Sequence, residues 1–262
     1  IRGITLTDEA FVLPLGHRAR LRIGIVHGAP RAGLLPPSLP TAAQVVNGWT
    51  ATVGRASAFV VPDAALVERL VAERCELLLR GPVAVADDPV AFTVGVGELT
   101  RIGERPEPWI ADLAAAVESI APAAGWESDV ALAAVSRSLA AANERRALRD
   151  LERIRARRPG ARRPDAAPEG ILAVAWLETL LADGRRLFPD GIPREWWGES
   201  LEAHGVPTGP SSTVSLAVRW HGARPAVLWE QQGEAVELVS PVVAPDWSSG
   251  AASGEALWPE PR

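Results

Sequence analysis

Several residue types are rare or missing in this chain, and each absence excludes a class of site. The sequence has no tyrosine and no methionine, and all 27 basic residues are arginine because lysine does not occur. A single cysteine, Cys75, excludes an intrachain disulfide and any metal site built from several cysteines. No apolar run is long enough to cross a bilayer. We therefore expect no membrane partner and predict a cytoplasmic location as the default.

The charge balance argues against another class of partner. The chain has 27 basic and 32 acidic residues, a net charge of −5 and a pI of about 5.5. No global positive field attracts nucleic acid, so we expect no nucleic-acid partner. With 262 residues, of which 47% are hydrophobic, the chain can bury one large core or two modest ones.

Motifs of the common enzyme classes are also missing. The sequence contains no GxSxG, no HExxH, no Walker loop and no GxGxxG after a predicted strand. The histidines His17, His27, His204 and His221 lie far apart and lack the spacing of metal ligands. The sequence therefore predicts neither a cofactor nor a metal site.

The clearest local pattern that is present lies in residues 213–230. Hydrophobic residues alternate with small or polar ones from Val214 to Trp220, which is the period of a strand with one buried face. Gly222 supplies the freedom that a tight turn needs, and residues 226–229 return as a second strand. We predict a β-hairpin here, with the C-terminal β domain built around it.

Along the rest of the chain, strand patterns and helix patterns are segregated. Candidate strands before residue 62 are 10–15, 19–27, 45–46 and 55–61. Helical periodicity then predicts six helices, at about 62–81, 87–103, 108–121, 128–142, 144–157 and 169–183. The last of these is apolar almost all round, which is typical of a buried helix. Strand patterns return from Arg185 and continue to Trp258.

This segregation predicts an α+β fold rather than alternating α/β with a parallel sheet. We expect an N-terminal β region at 1–61 and a helical region at 62–167. Residues 168–262 are expected to form the last helix and a C-terminal antiparallel β-sandwich. About six helices make up the central all-α segment.

Residues 157–164 form a basic segment broken by proline and glycine. Its four arginines could contact phosphates, but no aromatic residue interleaves with them as in a nucleic-acid site. A solvated loop is the stronger interpretation.

Three acidic residues, Glu98, Glu127 and Asp129, are the candidates for acid–base chemistry. Such chemistry on a glycosidic bond requires two carboxyl groups that converge on one cleft. Glu98 lies among glycines, in a helix that needs packing to be stable. Glu127 and Asp129 begin a helix, where the macrodipole favours negative charge, and capping is their stronger interpretation.

Ten tryptophans supply most of the aromatic surface. Indole rings are flat platforms for sugar rings, and they also fill cores. The hydrophobic period favours the core for Trp176, Trp220 and Trp229. The adjacent Trp196 and Trp197 cannot both point inward if their segment is extended, so we expect one to be exposed or at an interface. The candidate substrate-binding residues are Trp109, Trp126, Trp196 and Trp197.

Five short motifs in the last third of the chain carry a family resemblance. They are LFP at 187–189, REWWG at 194–198, RWHG at 219–222, LWE at 228–230 and DWSS at 246–249. This region resembles the C-terminal end of bacterial glycosidase-like proteins with an (α/α) toroid. In that family a last buried helix leads into a small β-sandwich that caps the toroid. The resemblance implies a carbohydrate-active protein whose partner is an oligo- or polysaccharide.

Two main functional hypotheses follow. The first is a glycoside hydrolase-like enzyme that uses a pair drawn from the three acidic candidates. The second is a non-catalytic carbohydrate-binding, scaffold or interaction protein, and it fits a helical region shorter than a full toroid. A third, a specialised-metabolism enzyme, rests only on the scarcity of residues with A/T-rich codons, which indicates a GC-rich bacterium.

Overall fold

A computed structural model of the chain describes residues 40–261. Residues 46–261 belong to one compact unit. The predicted strands at 10–15 and 19–27 lie outside the described residues.

The described residues contain seven α-helices, and the helical prediction is confirmed for six of them. The helices are α1 Ala42–Val53, α2 Ala64–Arg80, α3 Pro89–Ile102, α4 Ile110–Ile120, α5 Trp126–Ala141, α6 Arg145–Ala156 and α7 Leu172–Leu181. Short 3-10 turns lie at Glu107–Trp109 and Arg194–Trp196. No helix in residues 40–261 is long and apolar enough to span a bilayer.

Helix α1 corrects the prediction of a strand at residues 45–46. Thr41 and Gln44 form a reciprocal capping box, because the Thr41 backbone N–H donates to Gln44 Oε1 at 2.8 Å and the Gln44 N–H donates to Thr41 Oγ1 at 3.2 Å. This local signal starts a helix that the paired valines alone do not indicate. Within the predicted β region at 1–61, the described strand is confined to β1, Ala58–Val60.

Aspartate side chains and glycines cap the ends of α2 and α3. Asp63 and Asp88 each accept a backbone N–H three residues later, at 2.9 Å, and so start α2 and α3. Gly81 ends α2 with φ 76° and Gly103 ends α3 with φ 122°, conformations that glycine adopts without strain.

The strands within residues 40–261 form two sheets. After β1 they are β2 Ala182–Asp183, β3 Arg186–Leu187, β4 Leu201–Pro207, β5 Thr213–His221, β6 Arg224–Gln232, β7 Leu238–Ser240, β8 Ala244–Ser249 and β9 Ser253–Leu257. The five-stranded sheet has the order β1-β4-β5-β6-β9 and is antiparallel throughout. The four-stranded sheet has the order β2-β3-β7-β8, and its β3–β7 pair is parallel.

The predicted hairpin is confirmed as β5 and β6, the centre of the five-stranded sheet. The two strands pair from Thr213 with Gln232 to His221 with Arg224, and Gly222 in the turn has φ 64°. The α+β fold class is therefore confirmed. β1 adds an edge strand to the same sheet by pairing with β4.

Aromatic rings connect the two sheets in the core. Trp229 on β6 contacts Trp247 on β8 edge-on, with ring centroids 5.2 Å apart. Trp247 then contacts Trp258 at 5.1 Å, and Trp258 contacts Phe188 at 6.2 Å. This chain of rings buries a large apolar area and gives the C-terminal region its sandwich-like character.

Helices α3 and α5 pack closely against each other. A Cβ built on Gly97 would lie 2.8 Å from the Cβ of Ala134, so only glycine permits this approach. The glycines around Glu98 therefore have a packing reason, and α3 is buried along nearly all its length. Helix α7 is buried as predicted.

Candidate functional site

A buried network of charged side chains lies where α2, α3 and α7 meet the loop before β1. We call Ser57, Arg74, Glu98, Arg101 and Glu178 the arginine–glutamate network. Arg74 Nε donates to Glu98 Oε2 at 2.8 Å, and Arg101 Nη1 donates to Glu98 Oε1 at 2.6 Å. Arg101 Nη1 also donates to Glu178 Oε1 at 2.7 Å, and the Ser57 hydroxyl donates to the same oxygen at 2.7 Å.

Backbone carbonyls complete the hydrogen bonds of both arginines. Arg101 Nη2 donates to the carbonyls of Ala56 at 2.6 Å and Gly205 at 2.9 Å, while Arg74 Nη1 donates to that of Ser57 at 2.8 Å. The β4–β5 register shifts between Ala203 and Val206, and Gly205 at φ 70° lies against Ala56. The register shift in β4 thus directs the Gly205 carbonyl toward Arg101. The network therefore links the helices to the five-stranded sheet through hydrogen bonds.

The electrostatics of the network exclude Glu98 from acid–base chemistry at neutral pH. Burial alone raises its pKa, but the charges of Arg101, Arg74 and Arg137 and a hydrogen bond from Arg74 outweigh burial and hold the pKa of Glu98 at about 2. The side chain is 1% exposed. Glu98 is therefore an inaccessible carboxylate that is charged at neutral pH, which indicates a structural role.

The sequence contains one signal for this network that our prediction missed. Arg74 falls on the same face of α2 as the buried residues Leu66, Leu70 and Leu77. A charged residue inside an apolar helical stripe needs a buried partner of opposite charge. Glu178, in the middle of the apolar helix α7, fits the same rule.

Arg137 on α5 lies beside the network without joining it. Its Nε is buried and has no hydrogen-bond partner within residues 40–261. Burial, and then the positive charge of Arg101, lower the pKa of Arg137 to about 10, although Glu178 and Glu98 oppose this. Its side chain lines a cavity of about 80 Å³, which we call the Arg137 cavity.

The other two acidic candidates, Glu127 and Asp129, have different surroundings from Glu98. Glu127 is exposed on the first turn of α5. Asp129 accepts hydrogen bonds from Arg158 Nε at 2.7 Å and from the Ala161 backbone at 3.1 Å. Asp129 therefore anchors the following loop and lines the cleft beside it, whereas Glu98 is buried in the network.

The basic segment at 157–164 is irregular, as predicted, but it is solvated only in part. Arg158 is 13% exposed and donates to the carbonyls of Ala121 and Ala123. Arg163 is 11% exposed, lies 4.7 Å from the Trp176 ring and pairs with Asp190 at 3.3 Å. The segment forms one wall of a cleft of about 420 Å³, the arginine cleft.

The candidate tryptophans are divided among different environments. Trp126 is buried, donates to Thr179 Oγ1 at 3.2 Å and borders the arginine cleft. Trp109 is half-buried against the core. Of the adjacent pair, Trp196 is buried and Trp197 is half-buried with Arg194 5.6 Å from its ring. The four indoles do not form one platform.

An open groove crosses the outer face of the five-stranded sheet. Its volume is about 600 Å³, and we call it the sheet groove. The side chains that face it alternate along β4, β5 and β6 with those that face the core. On these strands the exposed or half-buried lining residues are His204, Ser215, Ala217, Leu228, Glu230 and Gln232. Arg55, before β1, and Ser253, at the start of β9, border the groove as well.

The sheet groove offers hydrogen-bonding groups around a small apolar floor. Leu228 is 39% exposed and lies directly across from Ala217 in the β5–β6 register. Glu230 and Gln232 follow Leu228 on the same face of β6 and are exposed. His204, from β4, is exposed near the opposite edge of the groove. The sequence pattern contained this alternation, but it did not show that a loop would border the face and make a groove.

Comparison of the chain with protein-family models, with curated proteins and with solved structures found no match.

Proposed function

We propose that this protein is a non-catalytic carbohydrate-binding protein and that the sheet groove is its binding site. The observation that carries the proposal is the combination of exposed polar side chains with the Leu228–Ala217 floor in one groove of about 600 Å³. A sugar ring presents both hydroxyl groups and apolar C–H faces, and this lining offers partners to each. The volume is within the range of small-molecule sites.

The chemistry of the acidic candidates favours binding over hydrolysis. Hydrolysis needs two carboxyl groups about 5–10 Å apart across the scissile bond, one of them protonated. Glu98 is buried and its pKa is about 2, so it cannot donate a proton at neutral pH. Glu127 is exposed and Asp129 is bound to Arg158. Together these positions support the non-catalytic hypothesis.

Binding of oligosaccharides to the purified chain tests the proposal. Isothermal titration with a panel of neutral α- and β-glucan oligosaccharides should give a saturable signal for at least one member. Ala217→Arg, which places a long side chain over the groove floor, and Glu230→Ala should each weaken that binding about tenfold or more. His221→Ala changes an exposed residue of the hairpin end and is the matched control.

A reducing-sugar assay on the same panel separates binding from hydrolysis. We expect no release of reducing ends by the wild type. Turnover that disappears in Glu127→Gln or Asp129→Asn would replace the binding proposal with the hydrolase hypothesis. Saccharide binding that Ala217→Arg leaves unchanged would move the site away from the sheet groove.

A further inference from the structure

The charges around Arg137 do not balance. Three guanidinium groups, those of Arg74, Arg101 and Arg137, influence the two carboxylates of Glu98 and Glu178. The short contacts of both carboxylates go to Arg74 and Arg101. One positive charge is therefore left over, on Arg137, a half-buried residue whose Nε is fully buried. A desolvated charge without a partner costs more than almost any other single feature of a fold.

The other charged residues that line the cavity do not supply the missing anion. Arg155, which lines the same cavity, is itself a cation. The carboxylate of Glu152 is already paired with it, because Arg155 Nη1 donates to Glu152 at 2.8 Å. Asp183 also lines the cavity, and it is paired with Arg186. Glu178 contributes to the wall, with its Oε1 held by Arg101. The local acids are thus engaged with other arginines.

The cavity has the size and the lining of a small oxyanion site. Its volume of about 80 Å³ leaves room for ~two or three waters or for one compact anion, but not for a sugar ring. Besides the two arginines and the acids Glu178 and Asp183, it is bordered by Thr179, Thr208 and Gly209. The hydroxyl groups of Thr179 and Thr208 already donate to Ala175 and Ser212, so the arginines are the donors for an anion. Guanidinium groups bind phosphate, sulfate and carboxylate through paired charge-assisted hydrogen bonds.

We propose that the Arg137 cavity is a binding site for a single oxyanion group, of the phosphate, sulfate or carboxylate type. The anion accepts hydrogen bonds from the Arg137 guanidinium and neutralises the charge that the network leaves over. This site is separate from the sheet groove and does not depend on the function proposed there.

The surroundings indicate that the anion can belong to a larger molecule. The Arg137 cavity and the arginine cleft share five lining residues, Val130, Ala133, Arg155, Thr179 and Asp183. A ligand of the adjoining cleft, whose volume is about 420 Å³, could therefore place one acidic group against Arg137. A free inorganic anion would occupy the same inner position.

Thermal unfolding and titration calorimetry with inorganic phosphate test the site, at constant ionic strength so that screening is equal in all samples. Phosphate should raise the Tm of the wild type in a saturable manner. Arg137→Met should weaken phosphate binding at least ~tenfold. Arg137→Lys keeps the charge but loses the planar fork and should give intermediate binding.

Arg149→Met on α6 is the control, because Arg149 is exposed and the substitution changes the net charge equally. Retained phosphate binding in this variant and its loss in Arg137→Met support the site. Equal stabilisation of all variants would show a general salt effect and overturn the proposal. So would the absence of any response to phosphate, sulfate or acetate, since water alone would then fill the cavity.

A sugar phosphate distinguishes the two sources of the anion. Tighter binding of glucose 6-phosphate than of inorganic phosphate, again dependent on Arg137, supports the site and assigns the anion to a ligand of the arginine cleft. Equal binding supports a free anion. A negative result for saccharide binding at the sheet groove would not change either outcome for the Arg137 cavity. The two proposals can therefore be rejected independently.

Discussion

The arginine–glutamate network and the Arg137 cavity use the same residue types a few side chains apart, and they are satisfied to very different degrees. In the network, Arg74 and Arg101 each bond to carboxylates and to backbone carbonyls. In the cavity, the buried Nε of Arg137 has no partner within the described residues. A charged side chain whose hydrogen bonds are all made within the protein stabilises the fold. A charged side chain that lacks such partners is available to bind a ligand.

Removing a charge from the network should have the largest effect. Glu98→Gln keeps the shape of the side chain but leaves Arg74 and Arg101 with half their carboxylate partners. Loss of one partner of a buried pair typically costs ~3–5 kcal/mol. We expect a decrease of that size in the free energy of unfolding, measured with urea at pH 7.

Glu127→Gln is the matched control for this prediction. It makes the same chemical change on an exposed turn of α5 and should alter stability by less than ~0.5 kcal/mol. Equal small effects of both substitutions would mean that the network does not hold the helices together.

Acid should weaken the network by a comparable, somewhat smaller amount. The pKa of Glu98 is lowered from 4.5 to about 2 in the folded protein, so its contribution is present above pH 4.5 and is lost as the pH falls toward 2. The shift corresponds to ~3 kcal/mol. Urea unfolding from pH 6 to pH 2.5 should show this slope in the wild type. If Glu98→Gln shows the same slope, other carboxylates cause it.

The helices and the hairpin could be predicted because their signals are local. Asp88 and Gly81 mark helix ends through chemistry that acts within a few residues, and the hairpin follows from alternation around Gly222. The capping box that begins at Thr41 was an equally local signal, and we missed it.

The candidate sites could not be predicted in the same way, because satisfaction of a charge depends on distant residues. Arg74 and Glu98 are 24 positions apart, and Arg101 and Gly205 are 104 apart. The apolar stripe of α2 indicates that Arg74 needs a partner, but not which one. Nothing local distinguishes Arg137, whose lack of a partner becomes visible only when the helices are packed.

The contact between α3, which carries Glu98, and α5, which carries Arg137, offers a third test. Gly97 on α3 lies against Ala134 on α5, the helix that carries Arg137, and an added Cβ would lie 3.3 Å from the Ala134 backbone. Gly97→Ala should push the helices apart and cost ~1–3 kcal/mol by overpacking. Gly48→Ala on α1 meets no atom within 4 Å and should stabilise its helix by up to ~1 kcal/mol. Urea unfolding of both variants measures the difference, and a loss from Gly48→Ala alone would contradict the packing role of Gly97.

The smallest effect, and the one of opposite sign, is expected at the unpartnered arginine. Arg137→Met keeps an unbranched apolar side chain in place of the stem and removes a charge that the folded state disfavours. In buffer without oxyanions we expect the free energy of unfolding to rise by ~1 kcal/mol, because replacing an uncompensated, half-buried charge by an apolar group removes its desolvation cost. Saturating phosphate should cancel this advantage by stabilising only the wild type. A loss of more than ~1 kcal/mol in Arg137→Met without anions would show that native contacts already hold the guanidinium. Arg137 would then belong with the satisfied network, and the contrast between the two regions would no longer hold.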